Sequence, residues 1–412
     1  MLFYTEKKIL YLREKSKMKS KNIDVVLTLY KRPDVLLKQL MAIRSQTVTP
    51  HNIFLYQDGL DSYYEIILKD DIKKYFSDIM ISNNNKGVWE RFKYAKEIVK
   101  AEYVCIFDDD TIPGEKWFEN CLDCMEKEEG IYGTNGILLN LRTNYPFGND
   151  TRIGWNNPNE KIAEVDFVGH SWFLKTEWLS YMFDDRDNMD EYKYVGEDMY
   201  LSVKCLEHGI HTFVPVHPYS EIQLWGSIPR YGEKYGVSSL AISCNSNNYT
   251  AMNKVLKILK NKGWRHIAER NISVYRKSLD SINIDKKKIN QMVIEKFKSL
   301  CENVDHIFIY GAGKTAKIFF DYISVQGYAL EAFIVTDVTN EKCCQYCGRP
   351  IFEVDNYNFG NKKNLMILGI SEFYHEEIRG YMKSVENIRL YPEKISGIPY
   401  DDLLQIFSSI GQ

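Results

Sequence analysis

The sequence predicts an α/β protein in two parts, and three observations carry that expectation. Apolar, strand-like runs alternate with amphipathic helical stretches from residue 23 to about 110, and again from 306 onward. In the first part the runs end on polar residues: Thr28, then Asp58, then the triplet Asp108, Asp109 and Asp110. At 412 residues the chain is also long enough for two domains. Parallel α/β sheets bind ligands beyond the carboxyl ends of their strands, so those polar termini are the first place to look for chemistry.

In chain order, "IDVVLTLY" (23–30) reads as a buried strand. "RPDVLLKQLMAI" (32–43) follows as a helix with Pro33 near its first turn, and Leu36, Leu40 and Ile43 at i, i+4, i+7 form its inner face. "NIFLYQDG" (52–59) is a second strand ending in Asp58, and the helix "GVWERFKYAKEIVK" (87–100) leads into a third, "EYVCIFDDD" (102–110). Between about 130 and 230 the pattern loosens into aromatic-rich segments with one clear helix, "GEDMYLSVKCLEHG" (196–209). Residues 250–304 are Lys-rich and helical. A second strand–helix series begins at "HIFIYGAG" (306–313) and continues through "KTAKIFFDYI", "LEAFIVTD", "NLMILGIS", "YHEEIRGYMKSV" and "NIRLY". The predicted organisation is a basic leader helix (1–21), a first α/β domain (22–265), a helical connector (266–304) and a small Rossmann-like domain (305–412).

Composition narrows the classes. With 44% hydrophobic and 26% charged residues and a formal net charge of -3, the chain reads as soluble and globular, with no nucleic-acid partner implied. The nine cysteines form no regular secretory framework, so a reducing, cytoplasmic setting is expected. The first 22 residues carry seven Lys/Arg against two Glu, interleaved with Leu2, Phe3, Ile9, Leu10 and Leu12. They read either as a frayed solvated helix or as a peripheral contact with the inner face of an anionic membrane. The 29 Tyr and 20 Phe suit carbohydrate sites and cores alike.

Asp108 and Asp110 lie two apart, so at a strand end they point to the same side. Clustered carboxylates of this kind suit Mg²⁺ or Mn²⁺, with positions left open for a substrate's phosphates. The competing reading is a solvated acidic turn.

The stretches "VVLTLYKRP", "YQDG", "NNNKGVWERF", "IFDDDTIP" and "GEDMYLSVKCLEHGI", in that order, resemble family 2-like glycosyltransferases of the GT-A fold over residues 22–265. The resemblance implies a GT-A mixed sheet and a nucleotide-sugar donor, with a UDP-sugar preferred. Thr28 and Arg32 would border the base, Asp58 would accept from its ring N–H, and Arg91 would face the diphosphate. Asp108 would hold the ribose or a water of the ion, and Asp110 would ligate the metal. Of Glu197 and Asp198, the aspartate would be the general base and the glutamate would orient the acceptor, with the roles open to exchange. His170 and Trp172 would shape the sugar and acceptor pocket together with Trp225, and His217 would add a metal or phosphate contact. Arg32 as a helix cap or partner of Asp34, Asp58 as a turn residue, Arg91 as a surface residue, His170 as a buried structural histidine and His217 as an ordinary loop histidine before Pro218 are the plain alternatives.

The expected activity is inverting, metal-dependent transfer to a hydroxyl of a glycan or lipid-linked acceptor, in capsule, lipopolysaccharide or other surface-polysaccharide synthesis. A nucleotidyltransferase would want a Gly-rich loop after the first strand, which "LTLYKRP" lacks. An NAD-dependent oxidoreductase would centre on Gly311, Gly313 and Asp337, a weak dinucleotide-type turn that also offers a second nucleotide site. A non-catalytic sugar-nucleotide-binding protein would not need Glu197 and Asp198. The small domain resembles those of sugar-nucleotide and capsule enzymes, some of which bind nucleotide sugars while others pack or pair subunits, and it reads as a regulatory or scaffolding module, with a homo-oligomer as one option. The Cys343, Cys344, Cys347 and Cys121, Cys124 groups read as free thiols rather than zinc sites.

Overall fold

The computed structural model describes residues 22–59, 70–140, 145, 150–155, 157–184, 192–219, 221–228, 246–283, 286–338, 344–383, 385–392 and 400–410. The basic leader and Cys343 lie outside the described residues. The chain divides into two compact units, residues 1–218 with 223–284 and residues 285–412 with 219–222. The stretch expected as a connector, 266–304, is shared between them. Ile267 packs in the first core, whereas the helix Lys286–Glu302 places Phe297 in the second.

The first unit is built on a nine-stranded mixed sheet of GT-A type. Its strands are β1 (Ile23–Leu29), β2 (Asn52–Gln57), β3 (Asp78–Ile81), β4 (Tyr103–Phe107), β5 (Gly130–Leu139), β6 (Asp150–Gly154), β7 (Ala163–Glu164), β8 (Phe167–Lys175) and β9 (His211–Val214). They lie in the order β3-β2-β1-β4-β8-β5-β9-β7, with β6 on the other half of β5. β1 to β4 are mutually parallel, and β8 runs antiparallel against β4. All seven residues of β1 and all five of β4 are buried, as expected of central strands covered on both faces. Asp24, buried within β1, is satisfied by the backbone N–H groups of Asn52, Lys100 and Ala101 and by the Asn52 amide.

Helix α1 (Pro33–Arg44) packs Leu36, Leu40 and Ile43 into this core, as its period predicts. Gln39 is buried on the same face. Helix α2 (Glu90–Ile98) precedes β4, α3 (Trp117–Met125) follows it, and α4 (Glu197–Glu207) is the acidic-ended helix. Cys121 and Cys124 are free thiols buried on α3.

The second unit carries a six-stranded sheet of β10 (His306–Tyr310), β11 (Leu330–Val335), β12 (Gln345–Tyr346), β13 (Arg349–Glu353), β14 (Asn364–Leu368) and β15 (Ile388–Tyr391). The order is β12-β13-β11-β10-β14-β15, parallel throughout except for the β12–β13 hairpin. Much of its aromatic content serves packing: Phe297 meets Tyr391 at 4.7 Å and Phe407 at 4.8 Å between ring centroids.

Candidate active site at the carboxyl ends of β1 and β4

β4 ends at Phe107, and the next four residues turn sharply, with Thr111 N donating to Asp108 O at 3.3 Å. This turn sets Asp108 and Asp110 beside His170 of β8, so that one ligand atom from each lies within 4.8 Å of the others. His170 Nδ1 is 3.7 Å from Asp110 Oδ1. His170 holds φ at 67°, a left-handed conformation uncommon outside glycine, and its carbonyl accepts from Asp108 N at 2.9 Å. Strain of this kind persists only where surrounding structure enforces it, and here it joins the two strands at the carboxylates. Burial alone would lower the His170 pKa, but Asp110 and Asp108 outweigh it and raise it. Burial likewise works against an ionised Asp110, yet His170 and Arg32 hold it below the usual carboxylate range. Two carboxylates and an imidazole at this spacing fit a divalent cation.

Two arginines balance the acidic turn. Arg32 Nη1 lies 2.5 Å from Asp109 Oδ1 and 3.7 Å from Asp110 Oδ2. Asp109, which alternation aimed away from the metal side, is therefore the partner of Arg32, and burial followed by the charge of Asp110 pushes it up to about 7. Arg91, buried on α2, bridges two carboxylates: Nη1 lies 2.6 Å from Asp108 Oδ1, and Nη2 2.8 Å from Glu197 Oε1. The guanidinium also lies over the Trp172 ring, 4.9 Å from its centroid. One side chain thus joins the aspartate turn to the acidic helix, across sequence separations the sequence alone does not reveal.

The acidic helix is positioned by Gly196, whose φ of 82° supplies the turn into α4 and whose Cβ, if present, would stand 2.8 Å from Val255 Cγ1. Glu197 is buried and committed to Arg91, and burial followed by the charge of Asp198 pushes it up to about 8. Asp198 is half-buried, with Oδ1 accepting from Met199 N at 2.7 Å, and burial leads its rise to about 6. Asp198 keeps the more accessible carboxylate of the pair.

Asp58 accepts from Lys86 N at 2.7 Å, from Gly87 N at 3.2 Å, and from the hydroxyls of Tyr56 and Ser82 at 3.1 Å each. It therefore organises the 82–87 loop that leads into α2. Gly87 has φ of 91°, and a Cβ there would stand 2.1 Å from Lys193 O. Thr28 Oγ1 is buried at the end of β1 with no hydrogen-bond partner.

Four expectations change. His217 does not join the aspartates: it is fully buried, its Nδ1–H donates to Pro215 O, and its Nε2 accepts from Gly226 N. Burial lowers its pKa to about 4, so it is a neutral ring packed between Trp117 and Trp225. Trp172 offers no face for a sugar, because it is 1% exposed beneath Arg91 and against Phe92. Trp225 is 0% exposed, with its indole N–H donating to Pro218 O. His170, assigned to the sugar pocket, instead stands in the candidate metal cluster. A ring that the sequence did not single out, Trp155, meets His170 edge-on at 5.7 Å. It follows Gly154, whose φ of 118° and hydrogen bonds with Asn157 make a tight turn.

Residues 24–175 match the pattern described as "Glycosyl transferase family 2". These residues form a family 2 glycosyltransferase domain. The match takes in β1 to β8 and all three members of the Asp108, Asp110, His170 cluster. Among solved structures, two crystal structures of S. aureus TarS, the second of residues 1-349, resemble the chain at 14% and 12% identity with a TM-score of 0.34. Each covers 48% of this chain, which in turn spans 37% and 61% of theirs. No curated protein matches the chain. Among the described residues, no helix is long and apolar enough to cross a membrane.

In the second unit, Gly311 has φ of 97°, and a Cβ there would stand 2.4 Å from Ile370 Cγ2. That glycine answers to packing against the loop after β14. Gly313 opens onto free space before the helix Lys314–Val325, and Asp337 lies just beyond β11. Among the described residues, no group of His, Cys, Asp and Glu spaced to hold a metal ion accompanies them.

Proposed function

We propose that the glycosyltransferase domain moves a sugar, with inversion, from a nucleotide-diphospho-sugar to an acceptor hydroxyl, using Asp198 as general base. The observation that carries the reading is Arg91. By bridging Asp108 and Glu197 it sets the metal-capable turn and the base-bearing helix side by side, as donor and acceptor chemistry require. An Asp198 carboxylate accepts the hydroxyl proton, and the freed oxygen bonds to the anomeric carbon. The bond from that carbon to the diphosphate oxygen breaks, and its electron pair leaves with the nucleoside diphosphate. Glu197, held by Arg91, orients the acceptor side. Thr28, with its unpartnered hydroxyl, Asp58 and Arg32 border the donor nucleotide. When bound by Asp108, Asp110 and His170, a divalent ion supplies Lewis-acid neutralisation of the departing diphosphate. The nitrogen donor suits Mn²⁺ better than Mg²⁺, which prefers oxygen alone. The donor is read as a UDP-sugar, and the acceptor as a glycan or lipid-linked hydroxyl of a surface polysaccharide, processed at the cytoplasmic side.

The test is donor turnover by purified protein with a panel of nucleotide-sugars, with Mn²⁺ and after chelation. Turnover or binding of one donor is expected, dependent on metal and abolished in a folded Asp110→Ala variant. Full metal-dependent activity in that variant would sink the site assignment.

A further inference from the structure

Three like charges on a four-residue turn repel one another, so something besides the arginines must fix the turn's shape. Arg32 and Arg91 grip carboxylates themselves, Arg32 that of Asp109 and Arg91 that of Asp108, where it competes with a cation for the oxygen. Gln39 does not. It is 0% exposed on α1, and its Nε2 donates to Asp108 O and to Thr111 O, at 2.7 Å each. One amide nitrogen thereby uses both hydrogens to hold the two ends of the turn that carries Asp108, Asp109 and Asp110. Its Oε1 is buried without a partner, a cost that a leucine or methionine among Leu36, Leu40 and Ile43 would avoid. The side chain is thus poorly explained as core packing and well explained as a two-hydrogen donor.

A second glutamine provides the control. Gln46 donates to Gly114 O at 2.6 Å and accepts from Phe118 N at 3.1 Å, pinning the far end of the same loop with the same chemistry. It touches none of the three aspartates' backbone groups in these bonds.

We propose that Gln39 is a positioning residue for divalent-cation binding: it fixes the backbone of the aspartate turn without occupying a carboxylate oxygen. This rests on the reading of Asp108, Asp110 and His170 as the metal site. Groups that orient metal ligands from behind cost about 10- to 100-fold in metal affinity when removed, and that is the size expected here.

The test is Mn²⁺ titration of the full-length, chelator-stripped protein, followed by the electron paramagnetic resonance signal of free Mn²⁺, with thermal unfolding of the metal-free protein alongside. Gln39→Met, close in volume and lacking donors, is expected to weaken Mn²⁺ binding by about 10-fold or more. Gln46→Met is expected to lower thermal stability while leaving Mn²⁺ affinity at the wild-type value. If Gln39→Met fails to fold, Gln39→Asn, the same amide one carbon short, must show the weakening. Wild-type Mn²⁺ affinity in a folded Gln39 variant overturns the proposal while leaving the metal site standing. An equal loss in Gln46→Met overturns it in favour of general loop stability. Absence of Mn²⁺ binding in the wild-type protein removes the metal-site reading, and this inference with it.

Discussion

The two sheets each end their first strand in a turn that leads to a helix, yet the two strand ends hold different things. Beyond β1 and β4 of the first unit, five carboxylates and two arginines crowd together, most of them largely removed from water. Beyond β10 of the second unit stand Gly311 and Gly313, with the exposed Asp337 after β11. Burying charge costs several kcal/mol per ion unless pairing offsets it, and a fold has no reason of stability alone to assemble so many. The charged strand end is therefore the candidate for chemistry. The glycine-bearing one is explained largely by close packing, since Gly369 also lies so near Ala316 that a Cβ would stand 2.7 Å from its Cα. A shared strand–turn–helix start does not imply a shared function.

The comparison breaks most visibly through catalysis. Asp198→Asn is expected to lower kcat by about 10²- to 10⁴-fold, with donor binding retained, because the amide cannot take the proton. The wild-type rate should also fall as pH drops through about 6, where burial places the Asp198 pKa, since protonation there removes the base. A flat profile from neutral pH to about 5 would exclude Asp198 as base.

A smaller effect tests stability. Arg91→Met leaves Asp108 and Glu197 without their shared partner, and should cost about 3–5 kcal/mol in urea unfolding. Loss of activity with unchanged stability would mean that the bridge is purely functional.

The smallest effects sharpen the second unit. Gly311→Ala must strain a left-handed backbone and displace Ile370, costing about 1–3 kcal/mol. Gly313→Ala projects into open space and should change stability by no more than about 0.5 kcal/mol. If Gly313→Ala instead abolishes a nucleotide affinity measured calorimetrically on the full chain, the second strand end has a ligand after all.

Much of the fold was legible because it rests on local patterns. The apolar runs of β1, β2, β4, β10 and β14 announce buried strands, and the period of Leu36, Leu40 and Ile43 announces the inner face of α1. Edge strand β3 gave weaker cues: none of its four residues is buried, Ile79 alone being half-buried, and only one neighbour holds it. Within the site, Asp108 and Asp110 were readable as a pair because strand alternation puts residues two apart on one side.

The exchange of His217 for His170 was not readable. His217 follows a strand and His170 lies within one, and only tertiary contacts show that one ring is sealed between Trp117 and Trp225 while the other faces Asp110. Trp172 carried a sugar-stacking expectation by residue type, and the structure spends it beneath Arg91. Gln39 was hidden in the opposite sense, as a polar residue on a face whose period marks it for the core.

By itself, then, the sequence determined the two α/β series, the acidic strand end and the acidic start of α4, because periodicity and strand-end position are properties of neighbouring residues. The tertiary structure alone decided which charges meet. Asp109 with Arg32, Glu197 with Arg91, and Asp110 with His170 are pairs brought together across 60 or more positions by strand order, and Arg91 reaches Asp108 across the intervening turn into β4. An ion pair or a metal cluster is a statement about distance in space, and its energy depends on how much water the surrounding fold removes.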